Sequence, residues 1–305
     1  MLCCDNLPEN GRVVRGVVLD LARLIDPALA DWIAANGAFP STMVDRIVPA
    51  TTDADLDRLA ALTGQRDEAP VMHEPFRQWV VEDDFCGPRP ALEQVGVQLV
   101  RDVTPYEHMK LRMLNGTHSA LAYLGYLAGH ETIADAMADP VFARFVKGLW
   151  ETEIIPALTP PPGEDLAAYA ARLGARYANP AIRHRTWQIA MDGSQKLPQR
   201  ILATIAENRA AGRPSPGLTL AVAAWMRFAS GRDEAGGVIE VKDPLAPRLA
   251  ALWRDDPAGT VAGFLTLAEV FPPALRDDTG FAVDLTAALS ALTSDGARAA
   301  VARLG

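Results

Sequence analysis

Cysteine is scarce: the 305 residues contain only Cys3, Cys4 and Cys86. An odd count excludes a complete disulfide framework. With no C-x-x-C, the spacing fits neither a structural zinc site nor a dithiol motif. The three read as small buried hydrophobes in a reducing compartment. Long apolar runs are also missing. The longest uncharged stretch, Leu114 to Gly129, contains His118 and is too short and too polar to span a bilayer, so no membrane partner is expected. The start, M-L-C-C-D-N, has no basic segment followed by an apolar one, so no signal peptide is expected and a cytoplasmic protein is predicted. Positive charge is in deficit. A formal net charge of −9 repels phosphate backbones, so nucleic acid is not an expected partner. The last absence is a G-x-G tripeptide. A complete doubly wound nucleotide-binding domain opens on a glycine-rich strand–turn–helix, and none is written here.

What is present is an ordinary globular composition, 49% hydrophobic and 22% charged, long enough for two domains. Residues 1 to about 104 alternate short apolar runs with helical stretches. Val13 to Ile25 and Asp53 to Thr63 read as helices, the first after an Asn-Gly turn at Asn10 and Gly11. Met43 to Val48, Trp79 to Glu82 and Val97 to Val103 read as strands. About four strands are expected, half of a doubly wound fold, and the region begins within what reads as a strand end. Beyond Tyr106 alanine and leucine dominate. Helical periodicity recurs over Glu107–Ala128, Glu131–Met137, Val141–Glu153, Asp165–Leu173, Ser194–Ala211, Gly217–Ala229, Pro257–Glu269 and Asp284–Leu292. The reading is an α/β region over 1–104 followed by an all-α domain over 105–305.

Chemistry concentrates in residues 106 to 129, Y-E-H-M-K-L-R-M-L-N-G-T-H-S-A-L-A-Y-L-G-Y-L-A-G. With Lys110 at zero on an α-helix, Leu121 falls at about 20°, Leu114 at about 40°, Leu124 at about 320° and Met113 at about 300°. Lys110 therefore sits inside the apolar arc, with His118 at about 80° and Asn115 at about 140° on its flank. A lysine on a buried face is costly unless its charge is lost or paired, and burial lowers its pKa towards the range of a general base. The alternative is that Lys110, near the helix start, snorkels to solvent. Asn6 has a capping alternative, Asp45 a pairing with Arg46 and His118 a satisfied core position. Asp192 and Gly193 have the alternative of a plain helix-start turn with Lys196 exposed.

K-x4-N-x2-H, with L-N-G-T-H-S-A-L-A-Y-L-G around it, resembles the signature helix of the long-chain mannitol dehydrogenase and fructuronate reductase family. C-D-N-L-P-E-N-G at 4–11 resembles the family's strand end with its active-site asparagine, here Asn6. T-M-V-D-R-I-V-P at 42–49 resembles its second strand, with Asp45. Glu107 matches the acidic residue before the lysine. D-G-S-Q-K-L-P-Q-R at 192–200 resembles the second helical motif, with Lys196. The matches come in family order over residues 4 to 200.

The resemblance implies a partial Rossmann-like domain followed by a helical domain like the C-terminal domain of 6-phosphogluconate dehydrogenase. It also implies metal-independent hydride transfer between NAD or NADP and a secondary alcohol of a small polyol, ketose or hexuronate. Lys110 would be general acid and base. Asn6 and Asn115 would donate hydrogen bonds to the developing alkoxide, and His118 would orient a neighbouring hydroxyl. Glu107 would tune or relay protons to Lys110, and Asp45 and Lys196 would contact other hydroxyls. The sequence departs from the mannitol branch in having Gln188 eight residues before Lys196, where an arginine is expected; Arg183 or Arg185 is a candidate carboxylate-binding charge instead. It departs further in lacking the glycine-rich turn, so the chain is expected to be an amino-terminally truncated member. The competing expectation is a fragment without cofactor binding or activity, or a helical interaction domain. A zinc alcohol dehydrogenase fails for lack of ligands at useful spacing. Oligomeric state is not legible.

Overall fold

The computed structural model describes residues 1–304. The chain divides into two compact units, Met1–His108 and Met109–Gly305.

In the first unit, helices α1 (Asn10–Ile25) and α2 (Pro27–Asn36) meet at Asp26. The Asp26 carboxylate accepts the Ala28 N–H at 2.9 Å, and Pro27 fills the first helical position, where a missing N–H costs nothing. Strand β1 (Thr42–Asp45), helix α3 (Asp53–Thr63) and strands β2 (Gln78–Glu82) and β3 (Gln98–Val100) follow, with α4 (Thr104–Met109) after them. The sheet order is β1-β2-β3. β1 runs antiparallel to β2 with Thr42 opposite Val81, and β2 runs parallel to β3 with Val81 opposite Leu99. Met43, Val80, Val103 and Tyr106 form a core against which Val100 packs.

The sequence predicts about four strands, and the described residues hold three. The stretch before Asn10, read as a strand end, is instead bends and turns. The bonding a ladder would supply comes from one amide side chain. Asn10 Nδ2 donates to the Asp5 carbonyl at 2.9 Å and to the Thr42 carbonyl at 3.1 Å, and its Oδ1 accepts the Thr42 N–H at 2.9 Å. The Asn-Gly pair expected as a turn is the first turn of α1, and the reversal falls on Glu9, whose φ is 50°. Along α1, Val13, Val17, Leu21 and Leu24 lie exposed, Leu24 at 86%.

The second unit contains helices and no named strand among the described residues. It opens on a π-helical stretch, Lys110–Gly116, followed by α5 (Thr117–Leu127), α6 (Ile133–Ala138) and α7 (Pro140–Gly148). Next come a second π-helical stretch at Leu149–Ile154, α8 (Leu166–Tyr177), α9 (Thr186–Ile189), α10 (Gly193–Leu197), a third π-helical stretch at Pro198–Leu202, and α11 (Ala203–Ala210). The series ends with α12 (Pro216–Ala229), α13 (Ala246–Leu252), α14 (Pro257–Leu265), α15 (Pro273–Arg276), α16 (Thr279–Asp295) and α17 (Ala297–Ala302). Asp139, Asp165, Asp256 and Asp278 each cap the helix that follows.

Helix α12 is apolar nearly all round, as a central helix must be, and packs against α5 and α16. A residue far away in sequence satisfies its N-terminus. Glu153 accepts the Gly217 N–H at 2.8 Å and the Leu218 N–H at 2.9 Å. Burial pushes the Glu153 carboxyl up to about 7 despite these two bonds.

Candidate functional site

The helix predicted over Glu107 to Ala128 is not α-helical throughout: Lys110–Gly116 is a π-helical stretch. A π-turn closes over five residues, whereas an α-turn closes over four. The spacing K-x4-N therefore places Asn115 one turn beyond Lys110, where α-helical geometry would set them about 140° apart. Lys110 is 7% exposed, Asn115 6% and His118 5%, so Lys110 does not snorkel to solvent. Asn115 Nδ2 is buried and has no hydrogen-bond partner among the described residues. The stretch is pinned from outside: Trp150 Nε1 donates to the Met113 carbonyl at 3.0 Å, and the Tyr177 hydroxyl donates to the Leu114 carbonyl at 2.7 Å.

Gly116 is where this stretch meets the one at Pro198–Leu202. A Cβ there would lie 2.5 Å from the Arg200 carbonyl oxygen, so only glycine admits that backbone. Pro198 opens that stretch. Having no N–H, it cannot continue an α-helical ladder, and a π-turn absorbs the misfit.

His118 stands in a basic and aromatic setting. Its ring centroid is 4.4 Å from that of Tyr177 and 5.3 Å from that of His184. Burial, then His184 and the charges of Arg200, Arg176 and Lys110, hold His118 well below the usual histidine range. Burial, with Lys196 and Arg200, brings His184 down to about 4. Both rings are thus neutral near pH 7, and His184 Nδ1 is buried without a partner among the described residues.

Lys196 is half-buried, against the alternative of plain exposure. Its Nζ donates to the Met191 carbonyl at 2.6 Å and lies 3.9 Å from Asp192, and burial lowers its pKa with help from Arg200. The Asp-Gly turn before it is built in: Asp192 has φ 55°, and a Cβ on Gly193 would lie 2.4 Å from the Tyr123 hydroxyl.

The remaining predicted residues belong to the first unit. Asn6 is exposed and is not the cap of α1, whose N-cap is Glu9. Asp45 is buried at the end of β1, and the Arg46 Nε donates to the Phe76 carbonyl at 3.0 Å. Glu107 is buried and accepts the Glu9 N–H at 3.0 Å through Oε1, which holds the left-handed residue that starts α1. Two neighbours of His118 are not singled out by the sequence, His184 and Arg200. The one available signal is that Arg200 lies a helical turn after Lys196. Arg183 and Arg185, expected as carboxylate-binding charges, are instead exposed and lie 4.0 and 3.6 Å from Glu131.

The chain belongs to the mannitol dehydrogenase family: residues 1–94 match the mannitol dehydrogenase Rossmann domain and residues 102–293 the mannitol dehydrogenase C-terminal domain. The resemblance and the fold class read from sequence hold. An uncharacterised oxidoreductase of Escherichia coli, YdfI, is 50% identical over 99% of this chain, and the D-mannonate oxidoreductase of the same organism is 48% identical over all of it. The chain spans 63% of the length of each. Among solved structures, the mannitol 2-dehydrogenase of Pseudomonas fluorescens, in a ternary complex with NAD and D-mannitol, superposes with a TM-score of 0.92 at 39% identity, covering 99% of this chain and 61% of that one.

Proposed function

We propose that the protein interconverts a secondary alcohol of a hexitol or hexonate and its ketone, with NAD or NADP as hydride partner, no metal ion, and Lys110 as general acid and base. The observation that carries this reading is a desolvated lysine one π-turn from an asparagine with an unused donor, on the same run as a neutral histidine. Oxidising such an alcohol removes a proton from oxygen as hydride leaves carbon. Lys110 Nζ takes that proton, and returns it in the reverse direction. Asn115 Nδ2 donates to the oxygen as charge develops there, and Asn6 is assigned the same role from the first unit. His118, being neutral, hydrogen-bonds a neighbouring hydroxyl. Glu107 tunes Lys110, and Asp45 and Lys196 meet other hydroxyls.

In this reading residues 1–104 are the nucleotide-side domain and 105–305 the substrate-side domain. The nicotinamide supplies the hydride acceptor when bound. The described residues of the first unit form three strands without a glycine-rich strand–turn–helix, so they do not fit the pyrophosphate in the usual way, and its contacts are not assigned to them.

Of the two substrates, the hexonate is favoured. The charges that depress His118 and His184 are all cationic, from Lys110, Arg176, Lys196 and Arg200, and they suit a carboxylate better than a neutral polyol. The test is nicotinamide absorbance with fructuronate and with fructose. Lys110→Ala is expected to lower kcat by about 10²-fold or more. Near-normal turnover in that variant would remove Lys110 from the chemistry, and a wild type inert towards both ketones would sink the reading.

A further inference from the structure

Two arginines packed elsewhere in the second unit are paired with carboxylates through their fork. Arg112 holds Glu207 with Nη1 and Nη2, the latter at 2.7 Å, and Arg209 holds Asp278 with Nε at 2.6 Å and Nη2 at 3.0 Å. Arg200 is different. Its single side-chain bond among the described residues is a long one, Nη1 to Ser119 Oγ at 3.3 Å. Its Nε is buried without an acceptor, its Nη2 meets no acceptor among the described residues, and none of their carboxylates lies within ion-pair distance. A guanidinium cannot shed its proton to escape this cost. The Nε–Nη2 edge left open is the one whose two parallel donors match a carboxylate.

The position of Arg200 gives that edge a meaning. Its carbonyl oxygen presses on Gly116, the residue after Asn115, and Lys196 lies one turn before it. Ser119, which it touches, follows His118. Asn115 Nδ2 and His184 Nδ1 are further nitrogens of this region that are buried without partners among the described residues. Arg183 and Arg185 are turned to Glu131 at the surface and leave the role open.

We infer that Arg200 is the specificity residue for an acidic sugar: its Nε–Nη2 edge binds the substrate carboxylate, and it thereby selects a hexonate over the hexitol of the same skeleton. This rests on the reading above that the residues around Lys110 and His118 receive the substrate.

The experiment is calorimetric titration of the whole chain with D-mannonate and with D-mannitol, which differ only in a carboxylate against a hydroxymethyl group. The wild type is expected to bind mannonate at least about tenfold more tightly, the scale of one charged bidentate pair. Arg200→Gln is expected to abolish that preference and leave mannitol binding within about twofold. Arg200→Lys, which keeps the charge without the fork, should retain part of it, and circular dichroism melting of both variants checks the fold. A wild type without preference, an Arg200→Gln that keeps it, or an Arg200→Lys that restores it fully would overturn the assignment. Failure of the functional reading is separate. Arg200-dependent mannonate binding without hydride transfer would sink the reaction and keep the binding role, and hydride transfer without carboxylate preference would do the reverse.

Discussion

Lys110 was legible because a lysine amid leucines and methionines is an anomaly that a helical projection exposes at once. Arg200 was not, because an arginine at the end of D-G-S-Q-K-L-P-Q-R reads as a solvated charge until the fold shows that its one described partner is the Ser119 hydroxyl and not a carboxylate. His184 was hidden for the same reason, since its desolvation comes from residues distant in sequence. Both histidines carry a pH signature. A folded pKa depressed below the unfolded value of about 6.5 contributes stability that is present above that value and lost as the pH falls through the folded pKa. For His184 the window runs down to about 4, and His118 acts in the same direction. The urea midpoint of the wild type is therefore expected to drop as the pH is lowered through that window, and His184→Gln should flatten the slope. An unchanged slope in that variant would show that the ring is not held neutral.

Among the elements, α12 and the helix around Lys110 were visible as apolar runs of the right length. Short helices such as α13, α15 and α17 were not, because one or two turns leave too few residues to establish a period. The π-helical stretch Lys110–Gly116 was invisible for a subtler reason: burial on every side of it removes the polar face that would reveal a change of pitch. Glu153 illustrates how an element depends on a partner outside it. Glu153→Ala would strand two N–H groups at the start of α12 and is expected to cost about 2–3 kcal/mol, read as a lower Tm. Because its folded pKa is raised, the Glu153 contribution is fully present below about 4.5 and lost as the pH rises through about 7, opposite to the histidines. Glu153→Gln should remove that alkaline decline, and a decline that persisted would place its origin elsewhere.

On the scale of the whole molecule, the sequence placed a change of texture near Pro105, and the division between the two compact units falls between His108 and Met109. The strand count of the first unit was overestimated because an asparagine side chain took over the bonding of a strand. Exposure of Val13, Val17, Leu21 and Leu24 along one helix leaves an apolar stripe of a kind that promotes association. Leu21→Lys with Leu24→Glu is expected to lower binding of a hydrophobic dye and the light scattering of concentrated solutions, with no loss of helical signal. Scattering unaffected by the double change would mean that the stripe is not what the molecules share.

A π-turn is formally an α-helix carrying one surplus residue. Deleting one residue between Leu111 and Leu114 would let the helix regularise, and because an α-turn closes over four residues, Asn115 would still lie one turn beyond Lys110. The shortened chain would gain ordinary hydrogen bonding along this run and keep the two polar groups on one heading. The surplus residue is therefore silent in the heading of Lys110 and Asn115, and its mark is left on the backbone carbonyls that Trp150 and Tyr177 bond from outside.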